Sequence, residues 1–130
     1  MGPLYMLPEG ENMTAKRYKY VLQRLFIPFY ERIRRKYGNE VVMQEDNALW
    51  HTAKIITKYL KNKGVRRMNW PPQSPDLNPI ENLWKYIKDI ISKRRHKIRN
   101  TKDMRLALQI AWPQIDENFL LYLCDSVLRR

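Results

Sequence analysis

Cysteine is nearly missing: Cys124 stands alone in 130 residues. One thiol cannot close an intramolecular disulfide, and a thiolate metal cluster is excluded as well. Only two histidines are present, His51 and His96, far apart in the chain, so no zinc cluster is expected. No stretch of about 18 apolar residues exists, which excludes a transmembrane span. The first residues carry Glu9 and Glu11 and no apolar signal core. An intracellular, reducing location fits, not secretion. Acids are scarce too, with 13 Asp and Glu against 25 Lys and Arg. The resulting net charge of +12 and pI near 10 point to a polyanion, with nucleic acid first. No basic amphipathic helix stands apart to suggest a membrane surface. Hydrophobic residues make up 44%, so disorder is excluded on composition. At this length one domain with a modest core is the limit. There is no repeat and no low-complexity segment.

Residues 4–7, apolar and fenced by Pro3, Pro8 and Gly10, suggest an edge strand followed by a turn. Thr14 caps a helix predicted to about residue 36, with Tyr18, Val21, Leu22, Leu25, Phe29 and Ile33 near one face. Pro28 is expected to kink or split it. Residues 40–44 read as a buried strand with Asp46 just past its end. A helix over 50–62 follows, with Ile55, Ile56, Tyr59 and Leu60 inward and Gly64 as its stop. Residues 65–69 form a short strand. A loop then holds four of the eight prolines: Pro71, Pro72, Pro75 and Pro79. Asn78 is a suitable N-cap with Pro79 in the first helical position. Helices are predicted over 79–95, from a Thr101 cap to Trp112, and from an Asp116 cap to Leu128.

Asp46 and Glu81, with thirty-four residues between them, are the candidate catalytic and metal-binding acids. Acids at a strand end and at a helix start suit metal-assisted phosphoryl transfer. The bland alternatives are a turn role for Asp46 and a capping box for Glu81, which would bond the backbone N–H of Asn78. The two roles of Glu81 are compatible, because each carboxylate oxygen can serve one. His51 and Asn47 beside Asp46, and Asp76 and Asn78 before Glu81, read as supporting or loop residues. Asp76 suits an Asx turn. Proline stiffness would hold Glu81 at low entropic cost. No residue before Asp46 looks like the third carboxylate that such a site normally needs.

Eight Lys and Arg lie between Lys16 and Lys36, and nine between Lys85 and Arg105. Either run can be a solvated face. Lys93, Arg94, Arg95, Lys97 and Arg99 are dense enough to favour sequence-independent, salt-sensitive DNA phosphate contact.

Asp46-Asn47-Ala48-x-x-His51 and Trp70-Pro71-Pro72-x-Ser74-Pro75-Asp76-Leu77-Asn78-Pro79-Ile80-Glu81-x-x-Trp84 together resemble the catalytic domain of the Tc/mariner superfamily of DNA transposases. The region from Tyr18 to Pro28 and the ending Ser126-Val127-Leu128-Arg129-Arg130 resemble its flanking parts. The resemblance implies an α/β, RNase H-like fold with a helix-rich C-terminal half. It implies a DDE or DDD triad in which Asp46 is the second acid and Glu81 the third. Two divalent cations, Mg²⁺ or Mn²⁺, would serve in-line displacement on DNA. The family's first aspartate lies on a strand upstream of anything matched here. Residues 1–130 are therefore expected to be a partial DDE domain, truncated at the N-terminus with the first two strands missing, and residues 1–12 a residual edge strand and loop. Metal binding would be weak without the third carboxylate, and the chain inactive alone. The rival readings are a non-catalytic nucleic-acid-binding remnant and a subunit that pairs with a full-length transposase or itself. Neither a membrane nor a small-molecule substrate is expected. The location is the nucleus in a eukaryote and the cytoplasm otherwise.

Overall fold

A computed structural model describes residues 2–69 and 78–129, apart from the side chains of Arg95, Val127 and Leu128. These residues fall into two compact units, 2–69 and 78–129, each with its own apolar core. The proline-rich loop at 70–77, Asp76 included, lies outside the described residues.

The first unit begins with residues 2–7 in coil against a long helical run. The half-buried residues 4–7 form no strand, which corrects the expected edge strand. Helix α1, Ala15–Val21, starts where the Thr14 hydroxyl accepts from Arg17 N at 3.2 Å. Pro28 neither splits nor ends the run. A π-helical turn, Leu22–Phe26, leads straight into α2, Ile27–Tyr37. Ile27 N donates to Leu22 O, five residues back. Proline offers no N–H to its preceding turn, and a widened turn just before it accommodates that loss. Gly38, at φ 73°, ends α2 in a conformation that glycine tolerates without strain.

Two short helices follow, α3, Leu49–Thr52, and α4, Lys54–Asn62. They were predicted as one. Ala53, extended at φ −55°, ψ 139°, separates them. Ile56 and Leu60 are fully buried, whereas Ile55 is 46% exposed against the expectation of an inward side chain. With Leu22, Ile27, Tyr30, Met43 and Val65 they form the core of this unit. Full burial of such a side chain is worth about 1.5–3 kcal/mol.

The strands predicted at 40–44 and 65–69 shrink to one parallel bridge between Met43 and Arg67. Met43 N donates to Arg66 O at 2.7 Å, and Met68 N to Met43 O at 2.8 Å. Among the described residues there is no longer strand. A parallel ladder draws its stability from cover on both faces. Here Met43 is buried but its neighbour Val42 is 37% exposed.

The second unit is helical. Asn78 Oδ1 accepts from Ile80 N at 3.2 Å and starts α5, Pro79–Ser92, with Pro79 in its first turn. The helix ends before the expected residue 95. Lys93 closes it, and a 3₁₀ turn, Arg95–Lys97, continues the basic run. The cap of α6, Thr101–Ala111, is Asn100 and not Thr101, because Asn100 Oδ1 accepts from Asp103 N at 2.9 Å. A 3₁₀ turn at Trp112–Gln114 holds Pro113, and α7, Glu117–Leu128, follows. Asp116 Oδ1 accepts from Asn118 N at 3.0 Å, the cap that was expected. Helices α6 and α7 pack against α5 around Leu83, Ile87, Ile91, Ala111, Ile115 and Leu123.

Candidate active site

Asp46 follows the Met43 bridge and precedes α3. Its side chain is 62% exposed, and its two oxygens have different surroundings. Oδ1 accepts from Ala48 N at 3.0 Å and stands 2.6 Å from His51 Nδ1. The first contact is an Asx turn, the bland role weighed for this residue. Oδ2 has no hydrogen-bond or ion-pair partner among the described residues. The turn therefore fixes the carboxylate and leaves one oxygen outward.

His51 is held from both sides. The Trp50 indole donates to His51 Nε2 at 3.1 Å. An indole N–H can only donate, so Nε2 is the accepting nitrogen and Nδ1 carries the proton given to Asp46. The Tyr18 ring lies 4.5 Å from the imidazole, centroid to centroid. Asn47, next to Asp46, is exposed.

Beneath this turn lies an ion pair that no sequence pattern marks. The Glu45 side chain is 8% exposed, and its Oε1 is 2.5 Å from Arg67 Nη2. Its Oε2 accepts from the Tyr18 hydroxyl at 2.9 Å. Arg67 also donates to His51 O at 3.2 Å and to Thr57 Oγ1 at 3.3 Å. Burial, then the Glu45 charge and the hydrogen bond to it, hold the Tyr18 phenol well above its usual range, against the opposing pull of Arg67. Tyr18 therefore stays protonated and donates. Of two adjacent acids, Glu45 turns inward to a cation and Asp46 outward. The alternation of a strand end permits either assignment, so only tertiary structure separates them.

Glu81 lies in the first turn of α5, in the other unit. Asn78 and Pro79 fix that turn, and Glu81 N donates to Asn78 O at 3.2 Å. The Glu81 carboxylate is exposed and has no partner among the described residues. The helix macrodipole favours a negative charge at this end. Asn78 caps through its own side chain.

Among the described residues, no three of His, Cys, Asp and Glu come together as a metal cluster. Asp46 and Glu81 offer exposed carboxylate oxygens, which suit a hard cation such as Mg²⁺ or Mn²⁺. The two acids lie in different units. Glu45 is committed to Arg67 and Tyr18, and Glu11 is paired with Arg17. Lys93, Arg94, Lys97 and Arg99 are exposed, and none has an ion-pair partner among the described residues. Arg95 sits in the 3₁₀ turn.

Each unit thus carries an exposed acid, and the second a basic run; comparison with known proteins gives the family. Residues 4–105 match the DDE superfamily endonuclease family, and the chain belongs to it. It is 34% identical over 113 residues to the Tcb2 transposase of Caenorhabditis briggsae, covering 87% of this chain and 40% of that protein. It is 30% identical over 118 residues to the Tc3 transposase of Caenorhabditis elegans, covering 91% and 35%. The chain thus spans less than half the length of these relatives. Among solved structures, the catalytic domain of Mos1 mariner transposase aligns with a TM-score of 0.76 at 21% identity, over 91% of this chain and 58% of that one. The same domain with raltegravir and Mn aligns at 0.74 and 22%, over 91% and 60%. At that identity the neighbours establish the fold, which is that of the Mos1 catalytic domain. The chain is homologous to the Tc1/mariner transposases as a DDE-type catalytic domain. Among the described residues no helix is long and apolar enough to cross a membrane.

Proposed function

We propose that this chain supplies Asp46 and Glu81 as the second and third acids of a DDE site that cuts and joins DNA strands. The observation that carries the reading is the divided Asp46 carboxylate, with Oδ1 fixed by His51 and Ala48 and Oδ2 left open. Both acids lie within the residues that match the endonuclease family. Paired divalent cations, when bound, supply a more nucleophilic oxygen and stabilise the leaving one. The residues of this chain hold and orient. Asp46 and Glu81 each present an exposed carboxylate, His51 and Trp50 fix the rotation of Asp46, and Lys93, Arg94, Lys97 and Arg99 hold phosphates. Mg²⁺ or Mn²⁺ fits the oxygen ligands, and a Mos1 catalytic domain has been solved with each. In a eukaryotic cell such a chain works in the nucleus.

The exposed basic residues Lys93, Arg94, Lys97 and Arg99 support a second reading, in which the chain binds DNA without cutting it; pairing with a longer transposase is a third. Mn²⁺ titration followed by electron paramagnetic resonance tests the metal reading. Weak binding is expected, and Asp46→Asn or Glu81→Gln should each weaken it by about tenfold, or 1.4 kcal/mol. Affinity unmoved by both substitutions would remove the metal site. Supercoiled plasmid with Mn²⁺ should stay intact beside the isolated chain. Nicking that vanishes in Glu81→Ala would show that the chain is already complete for cleavage.

A further inference from the structure

From Asn47 to Pro75 there is no acidic residue, yet the segment contains Lys54, Lys58, Lys61, Lys63, Arg66 and Arg67. Helix α4 sorts three of them onto one side. At about 100° per residue, Lys54, Lys58 and Lys61 fall within roughly 60° of arc. Ile56 and Leu60 occupy the opposite side and are fully buried. The three lysines are exposed and have no ion-pair partner among the described residues. Two more ammonium groups lie against Tyr59 of the same helix. Lys19, on α1, and Lys63 hold their Nζ atoms 5.4 and 6.0 Å from the Tyr59 ring centroid. An aromatic face attracts a cation without cancelling its charge.

This arrangement costs stability in the free protein. Like charges three and four residues apart on a helix destabilise it by about 0.2–0.5 kcal/mol per pair. A polyanion relieves that repulsion. Lys54 to Lys61 span about 10.5 Å of helix axis at 1.5 Å per residue. One strand of B-DNA presents a phosphate about every 3.4 Å along its axis, or roughly three over that length. Three ammonium groups therefore meet about three phosphates. An anionic membrane is the competing polyanion, but a helix that lies in a membrane interface inserts its apolar side. On α4 the apolar Ile56 and Leu60 are already buried in the core, which leaves Ile55, 46% exposed, as the apolar side chain it could insert.

We propose that the lysine face of α4 is a further sequence-independent surface for the phosphate backbone of double-stranded DNA, in addition to the 93–99 run. The proposal rests on the reading of the chain as a DNA-handling domain. Anisotropy of a labelled duplex, titrated across salt in EDTA, tests it with no metal involved. Lys54→Gln/Lys58→Gln/Lys61→Gln should reduce the slope of log K against log salt by about 2.7, at roughly 0.9 per phosphate. The triple arginine variant should keep the slope. All three positions are solvent-exposed, and circular dichroism of the variants should match that of the wild type. A glutamine variant with an unchanged slope, beside a wild type that binds, overturns the lysine face and leaves DNA handling intact. A wild type that ignores the duplex overturns both. Phosphatidylserine vesicles captured by that wild type, and not by the glutamine variant, would assign the face to membranes instead.

Discussion

Glu45 is 8% exposed and paired with Arg67, while the adjacent Asp46 is 62% exposed. The inward acid is the costlier to disturb. Removing one member of this part-buried pair leaves the other charge without its partner, at a cost below the ~3–5 kcal/mol of a fully buried pair because Arg67 is 27% exposed. Glu45→Gln, and more so Arg67→Ala, should therefore lower the urea midpoint of the first unit. Asp46→Asn should leave the stability within about 0.5 kcal/mol of wild type, as exposed substitutions generally do. Equal loss in both would mean that the outward carboxylate is also structural. Tyr18→Phe separates the hydroxyl from the ring: it leaves Glu45 Oε2 without its donor but keeps the contact with His51. A cost near 1 kcal/mol is expected.

At the scale of elements, the Met43–Arg67 bridge makes a sharp prediction. Hydrogen exchange should protect the amides of Met43 and Met68, which donate across it, far more than that of the half-exposed Val42. Protection through all of 40–44 would restore the strand. Helices were the legible part. Thr14, Asn78 and Asp116 cap where their side chains predicted, because capping is local chemistry between a side chain and an amide two or three residues on. Two adjacent candidates defeated that rule at Asn100 and Thr101, and the asparagine took the cap. The break at Ala53 left no trace, since alanine is a strong helix former and its extended backbone comes from tertiary packing. The strands were misread for a related reason. Val41, Val42 and Met43 carry strand propensity, but propensity reports fit to a half-buried surface, and here there is one short partner. For the candidate site, Asp46 and Glu81 stood out by motif. Glu45, Arg67 and Trp50 did not, because their roles arise from pairings that spacing does not encode.

For the whole molecule the dominant quantity is a net charge of +12 spread over two units with separate cores. Among the described residues, Glu45 and Glu11 hold arginine side chains, while Asp46, Asp103 and Asp116 are engaged in turns and caps. Arg17 and Arg67 form those carboxylate ion pairs, and many of the other Lys and Arg side chains, such as Lys54, Lys58, Lys61, Lys93 and Lys97, are exposed. The mutual repulsion of the positive charge opposes compaction, and salt screens it over about 10 Å at 0.1 M. Stability should accordingly rise with moderate NaCl, and rise further with a short DNA duplex at equal ionic strength, since a ligand of the native state adds its own binding energy. The 93–99 run should carry a defined share of that effect. If about five phosphates are neutralised there, its contribution to the salt slope of DNA affinity is near −4 to −5. Replacing Lys93, Arg94, Arg95, Lys97 and Arg99 with glutamine should flatten the slope by that amount and abolish most of the stabilisation by duplex DNA. A slope unchanged by those five substitutions, in a chain that still binds, would move the surface to α1, α2 or α4. Melting in NaCl alone should respond less in that variant than in the wild type, because the five substitutions lower the net charge of +12 by five and with it the repulsion that salt screens.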